Sequence, residues 1–284
     1  MSKKILLTGA GGMLAQDAVT VLQPCFEVIP RHEKELDICN SEAVHAAVCS
    51  LKPEVVVNCA AYTLVDACET EQEKAFAVNA VGVKNLALAC RQAGSLLVHI
   101  STDYVFDGTK QAPYTETDIP HPLSVYGQSK RAGEQYVQEI LEQYVIIRSS
   151  WLYGRGGNNF ITTILRLAQD KKKLNVVHDQ RGSPTWTRDL SQALKVLLDS
   201  NARGMYHVCN QGNCTWYEYA LRIVERAGLG VTVCPMTTDQ LQRPAPRPSY
   251  SVLDCSKFVR ETGRALRPWD AALEEYMQGE LKEV

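Results

Sequence analysis

The sequence predicts an α/β protein: a Rossmann-type, doubly wound parallel sheet followed by a smaller C-terminal substrate domain. Three observations carry that expectation. Over the first 150 residues, short runs that are apolar throughout alternate with helical patterns, as strands buried on both faces of a parallel sheet do. A glycine-rich turn follows the first of these runs at once. The chain, at 284 residues, has room for one large α/β domain or one and a half.

The first strand is expected at residues 4–8, and residues 27–30, 55–58, 96–100 and 144–148 supply four more. Between them, Asn40 is a capping residue that begins a helix, and residues 75–93 carry small and apolar side chains at helical spacing. Residues 124–143 are amphipathic, with Val125, Ala132, Tyr136, Ile140 and Leu141 on the apolar side. Strand–helix–strand repetition implies right-handed crossovers. Beyond residue 150 the rhythm loosens. A turn at 154–157 leads to helical stretches at 160–169, 190–198 and 217–227 and a polar loop at 179–184. Residues 242–248 are too proline-dense for a helix or inner strand. The expected division is a dinucleotide-binding part, 1–150, and a mainly substrate-binding part, 151–284, with segments returning to the sheet.

Composition narrows the function classes. Thirty basic residues against 32 acidic ones leave a formal charge of −2, which gives no reason to expect nucleic acid or an anionic membrane as partner. No stretch approaches the ~18 uninterrupted apolar residues of a membrane span. The basic start runs into too few apolar residues for a signal-peptide core. Ten cysteines are scattered with no C-x-x-C pair, and they read as reduced thiols of a cytoplasmic protein. The six histidines are equally dispersed, so no metal site is expected, and any need for magnesium is left open.

Small residues at Gly9, Gly12 and Ala15 form G-x-x-G-x-x-A, with Met13 and Leu14 inside the turn. Such glycines let the backbone approach a pyrophosphate while a helix N-terminus faces the negative charge. A glycine turn alone is weak; placed directly after a buried first strand it points to a dinucleotide. After the second strand stand Pro30-Arg31-His32, with no acid until Glu33. A basic residue there suits the extra phosphate of NADP, although a lone arginine is more often simply solvated.

The fourth strand ends in Ser101-Thr102-Asp103-Tyr104, where such sheets bind ligands. Downstream, Tyr126 and Lys130 are four apart on one helix face, and of twelve tyrosines only Tyr126 has this partner. A phenol is a poor proton donor at neutral pH unless a neighbouring cation lowers its pKa, so the pairing carries chemistry.

These motifs resemble the extended short-chain dehydrogenase/reductase family, and within it the reductases of nucleotide-linked 4-ketosugars. The likeness covers nearly the whole chain. It includes Asp37-Ile38, Asn58-Cys59-Ala60-Ala61-Tyr62-Thr63, Asn79, residues 101–108, residues 148–154, Asn159-Phe160, residues 179–185 and Arg247-Pro248. The chain departs from the pattern at Gly12-Met13-Leu14-Ala15 and at Arg31, where many relatives have an acid.

The resemblance implies reduction of the C4 ketone of dTDP-4-dehydro-L-rhamnose by NADPH, with NADH as a second acceptable cofactor, in a monomer or homodimer. Tyr126 would be the proton donor and a cofactor contact, Lys130 would hold the nicotinamide ribose and lower the tyrosine pKa, and Thr102 would bond the reacting oxygen or the phenol. Gly9, Gly12, Met13, Leu14, Arg31, Asp37, Ile38, Ala61, Tyr62 and Thr63 would surround the cofactor. Asp103 would meet a sugar hydroxyl, Trp151 the nucleotide-sugar and Arg247 its pyrophosphate. Two other readings share the fold: another nucleotide-sugar reductase or epimerase, and a non-catalytic NADP-binding subunit of the methionine adenosyltransferase type. A 4,6-dehydratase would carry Thr-Asp-Glu, and here the third position is Tyr104.

Overall fold

The structure, a computed structural model, describes residues 2–279. Five strands arise where the apolar runs lie: β1 (Lys4–Thr8), β2 (Glu27–Arg31), β3 (Val55–Asn58), β4 (Leu96–Thr102) and β5 (Tyr144–Ser149). A further strand, Gly204–His207, pairs parallel with β5 and completes a six-stranded sheet. From that strand the order runs β5, β4, β3, β1, β2, every pair parallel. The chain starts in the sheet's interior, goes one way to β2 and then crosses back to β3. That reversal opens a crevice at the C-terminal ends of β1 and β3, where doubly wound sheets take ligands.

Both faces of the sheet are covered. Ile5 and Leu7 of β1 face helix α1 (Met13–Leu22) and the Thr187–Asp199 helix, while Leu6 joins a second core with α2 (Ser41–Leu51) and the Gly82–Ala93 helix. This alternation is the two-residue period of a strand. A third core gathers Tyr153, Trp186, Tyr219 and Tyr276 from residues beyond 150.

Three features differ from the sequence expectation. The helix expected at 75–93 is interrupted: Gln72–Phe76 is followed by a π-helical turn, Ala77–Val81, before Gly82–Ala93. Within that turn Asn79 is fully buried; its Oδ1 accepts from the Tyr62 N–H (2.8 Å), and its Nδ2 donates to the Tyr62 carbonyl and the Ser129 hydroxyl. Such bulges place a side chain that a regular helix would turn away. The strand Gly204–His207 was hidden because four residues starting at a glycine give too little pattern. The same holds for the parallel pair Lys173–Val177 and Thr232–Met236.

Candidate active site

At the crevice, Gly9 adopts φ 72°, and a Cβ there would lie 2.5 Å from the Ala60 nitrogen. Only glycine serves this position. The Gly12 N–H donates to the Gly9 carbonyl (3.0 Å), and α1 begins at Met13 with no side-chain cap on its N-terminus. The free N–H groups of that first turn suit a pyrophosphate. A cavity of about 720 Å³ opens beside the turn, large enough for a dinucleotide. Gly9, Gly12, Asp37, Ile38, Ala61 and Tyr62 all line it. Buried Leu36 and Ile38, with Val78, give it an apolar wall. Asp37 also accepts from the Cys39 N–H (2.9 Å) and so serves as a local turn cap as well.

Six residues expected at the cofactor lie outside the lining, Tyr126 and Lys130 among them. Leu14 is buried in the core against the sheet, because it lies on the inner face of α1. Met13 packs beneath the 154–159 turn, with its sulfur 3.9 Å from Asn159 Nδ2. Thr63 is exposed outside the lining. Arg31 ends β2 with its carbonyl accepting from the Ala10 N–H (3.0 Å), and the chain enters the cavity wall only at the next residues, His32, Glu33 and Lys34. Lys74, whose ammonium lies 4.5 Å from the Tyr62 ring centroid, also lines it. A positive residue at each of 34 and 74 was visible in the sequence, but nothing in their spacing singled them out.

The catalytic end forms where β4 stops. Thr102 is its last residue and is buried; its hydroxyl accepts from the Tyr104 N–H (3.2 Å) and donates to Asp103 Oδ1 (3.1 Å). Tyr126 enters from the Val125–Ile140 helix, which Ser124 caps by accepting from the Gly127 N–H (3.2 Å). No side chain fits at Gly127, where a Cβ would lie 2.2 Å from the Tyr104 carbonyl oxygen, so the helix packs tightly on the strand end. The rings of Tyr104 and Tyr126 meet edge-on at 5.9 Å.

Burial pushes the Tyr126 phenol up, the facing Thr102 hydroxyl draws it down, and Asp103 raises it again. The Lys130 ammonium donates to the Ile100 carbonyl (2.6 Å), and burial lowers its pKa to about 8 against the pull of Glu134 and Cys59. Thr102 and Tyr126 thus face each other, with Lys130 one turn further along the same helix, and the hydroxyl draws the phenol down. Asp103 is buried at the same strand end, its Oδ1 accepting from the Thr102 hydroxyl.

Sequence reasoning missed the support behind this edge. Arg148, fully buried in β5, forks onto Glu134 through Nε and Nη2, both at 2.7 Å. Ser101 and Arg131 donate to the same carboxylate at 2.6 and 2.9 Å. His207 accepts from Arg148 Nη1 through Nε2 and turns Nδ1 to the Tyr114 carbonyl (2.9 Å). The available signal was an arginine in a strand otherwise buried on both faces, which needs a buried anion.

Two further expectations have definite surroundings. Trp151, at φ 49°, stacks on Trp216 with centroids 3.4 Å apart, and the absence of a side chain at Gly182 makes room for its ring. Arg247 donates to Asp66 (3.0 Å) and to the Ala245 carbonyl (2.9 Å), and its guanidinium faces Tyr104. Arg243 reaches the same Asp66 at 3.0 Å, so the proline-dense loop is tied to the start of the Val65–Cys68 helix. Among the described residues, no group of three or more His, Cys, Asp or Glu converges as a metal site, and no helix is long and apolar enough to cross a membrane.

A dinucleotide-sized cavity at a topological switch point, beside a Tyr–Lys helix pair and a strand-end hydroxyl, defines a protein of the short-chain dehydrogenase/reductase type. A family profile described as RmlD substrate binding domain matches residues 3–281, and the chain belongs to that family. It is 44% identical to the spore coat polysaccharide biosynthesis protein SpsK of Bacillus subtilis, over 97% of both chains. It is 43% identical to a dTDP-4-dehydrorhamnose reductase of Streptomyces griseus, covering 95% of this chain and 91% of that one. A crystal structure of dTDP-4-dehydrorhamnose reductase from Bacillus anthracis in complex with NADP superposes with a TM-score of 0.95 at 39% identity, covering 98% and 99% of the two chains.

Proposed function

We propose that the protein is an NADPH-dependent reductase that converts the C4 ketone of dTDP-4-dehydro-L-rhamnose into the alcohol of dTDP-L-rhamnose. The observation that carries this reading is the Tyr126 phenol facing Thr102 at the end of β4, with Lys130 beneath, in a chain of this family. A bound nicotinamide dinucleotide would supply the hydride that adds to C4. As that carbon is reduced, the carbonyl π electrons move to oxygen, and the Tyr126 O–H bond breaks to protonate it. The Thr102 hydroxyl steadies the growing charge by hydrogen bonding. Lys130 keeps a cation under the site and is placed for the cofactor's ribose.

Residues beyond 150 would hold the sugar nucleotide, with Trp151 a wall and Arg247 turning from Asp66 to the diphosphate. The reading places the enzyme in the cytoplasm, supported by ten cysteines that form no disulfide.

The direct test supplies enzymatically made dTDP-4-dehydro-L-rhamnose with NADPH or NADH and identifies the product by NMR. Formation of dTDP-L-rhamnose is expected; reduction of a different nucleotide-ketosugar alone overturns the substrate assignment. Tyr126→Phe should cut kcat about 10²–10⁴-fold, the usual worth of a general acid, with cofactor affinity unchanged. Activity within threefold of wild type would remove Tyr126 from the chemistry.

A further inference from the structure

Ten cysteines are spread over the chain, and two of them meet beside the end of β5. Cys209 stands two residues past the Gly204–His207 strand, and Cys255 directly precedes the Ser256–Thr262 helix. Although 46 positions apart, they pack together. Cys255 Sγ accepts from the Cys209 N–H at 3.3 Å, and its side chain covers the buried cluster that holds Cys209. A sulfur so near the backbone of another cysteine lies within the short span that a disulfide bridges. On its other side Cys209 Sγ lies 3.3 Å from the Ser150 hydroxyl. Ser150 donates to the Ser183 carbonyl at 2.7 Å and directly precedes Trp151, so the pair borders the edge where Trp151 stands.

A small oxidant has a way in. Cys209 and Cys255 both line a cavity of about 620 Å³, together with Asn210, Gln211, Asp254 and Arg260. This cavity shares no lining residue with the one at the Gly9 turn. The pair also differs from the other thiols in charge. Burial pushes Cys39, Cys59, Cys68, Cys90 and Cys214 up, which keeps them protonated and inert. Burial pushes Cys209 up as well, but the Cys255 thiol and the Ser150 and Thr185 hydroxyls more than reverse it, and Cys209 is lowered. The same contact with Cys209 pushes Cys255 up, so Cys209 is the sulfur that carries the negative charge.

We propose that Cys209 and Cys255 are a peroxide-reactive dithiol, in which Cys209 is oxidised first and Cys255 closes the disulfide. The Cys209 thiolate attacks one oxygen of hydrogen peroxide. An S–O bond forms, the O–O bond breaks, and the departing hydroxide takes a proton to become water. Cys209 is now a sulfenic acid. The Cys255 sulfur then attacks that sulfur, the S–S bond forms and the S–O bond breaks. The second hydroxide leaves with the Cys255 proton as water. The two thiols have lost two electrons, and the peroxide has been reduced to water. A small-molecule thiol returns the pair to its reduced form. Closing the disulfide keeps Cys209 from the sulfinic acid, which does not revert. That acid would set a permanent charge against Ser150, one residue from Trp151.

The test treats the reduced full chain with stoichiometric hydrogen peroxide and blocks the remaining thiols at intervals with iodoacetamide. Peptide mapping with fragmentation tells Cys209 from Cys214 and Cys255 from Cys234. It should find a Cys209–Cys255 cross-link that dithiothreitol removes. Cys209 should be consumed about tenfold or more faster than exposed Cys25. In Cys255→Ser, dimedone should label Cys209 as the sulfenic acid, and excess peroxide should carry it to a sulfinic acid that dithiothreitol leaves in place. In Cys209→Ser, dimedone should label Cys255 about tenfold or more slowly than it labels Cys209 in the other variant. Because the two cavities are separate, cross-linked and reduced wild type should bind NADPH within about twofold of each other.

Absence of the Cys209–Cys255 cross-link overturns the proposal, and so does a cross-link that forms only as slowly as Cys25 reacts. A bridge from either residue to a different cysteine overturns it equally. Equal labelling of Cys255 in Cys209→Ser and of Cys209 in Cys255→Ser removes Cys209 as the first sulfur. Should either variant fail to fold, the wild-type map alone decides, since it needs no substitution. None of these readouts uses turnover, so the outcome is independent of which ketosugar the enzyme reduces.

Discussion

Glu134 and Asp103 are both buried behind the C-terminal end of β4, yet their surroundings differ. Glu134 receives the two-pronged Arg148 guanidinium at 2.7 Å, the Ser101 hydroxyl and Arg131. Asp103 has only neutral hydroxyls facing it, Ser251 and, at 3.1 Å, Thr102, and no cation. Burial raises the pKa of both. For Glu134 the Arg148 guanidinium and the other donors reverse that and hold it below the usual range; for Asp103 the Ser251 and Thr102 hydroxyls offset only part of it, and it reaches about 7. Burial sets the penalty on charge, and the number of donors decides whether the charge survives. Glu134 is an anion that braces β5 against a helix, whereas burial holds Asp103 toward its neutral form.

The largest expected effect comes from breaking the well-paired side. Glu134→Gln leaves the Arg148 charge buried without its partner, and such losses typically cost about 3–5 kcal/mol. Urea denaturation at pH 7 reads it. Replacing the pair together, Glu134→Leu with Arg148→Met, should recover most of the loss, because the uncompensated charge goes too. A cost under about 1 kcal/mol for Glu134→Gln would mean that Arg148 has another anion, and the contrast with Asp103 would dissolve.

The two sides should also respond to pH with opposite slopes. The folded pKa of Asp103 is raised above its unfolded value of 3.8, so the stability it contributes is fully present below pH 4 and lost as pH climbs through 7. Compared with Asp103→Asn, wild type should lose up to about 4 kcal/mol between pH 4 and 8. His207, which belongs to the Glu134 cluster, is lowered by burial and by Arg148 from 6.5 to about 3. Its contribution is present above pH 6.5 and lost as pH falls, amounting to about 2 kcal/mol by pH 5. Buried His99 shifts in the same direction, so the His207→Gln variant is needed to isolate the slope. Denaturation midpoints that fall equally in wild type and His207→Gln between pH 6.5 and 5 would remove His207 from this account.

The sheet and the places of Thr102, Tyr126 and Lys130 were legible because each rests on local pattern. Five strands were apolar runs, the Gly9 turn followed the first of them, and Tyr126 and Lys130 were four apart on one helix. The parts that escaped depend on tertiary pairing. Glu134 and Arg148 are 14 positions apart, and neither shows in sequence that the other neutralises it. The π turn at Asn79 follows from contacts with Tyr62 and Ser129, 17 and 50 positions away. Asp103 was placed at the strand end by sequence, but its burial and its bond with Thr102 were not visible there. Trp151 and Arg247 were found near the expected edge, but their engagements with Trp216 and Asp66 left no trace in spacing.

The smallest expected effect separates two cations after β2 by the same question of what each one faces. Arg31 was the sequence candidate for an adenosine 2′-phosphate, and the cavity wall instead carries His32, Glu33 and Lys34. An ammonium there offers a charge-assisted hydrogen bond, generally worth about 1.5–3 kcal/mol before desolvation. Glu33 on the same wall offers NADH an acceptor for its ribose hydroxyls and trims the advantage. The net should be about tenfold in kcat/KM in favour of NADPH, one decade at about 1.4 kcal/mol. Lys34→Glu should erase that ratio. Arg31→Asp, acting only through screened charge at a distance, should leave it within about twofold. The ratio is measured with both cofactors at fixed, saturating sugar nucleotide. Should Arg31→Asp erase the preference while Lys34→Glu keeps it, the phosphate lies against the strand end and not against the wall of the cavity.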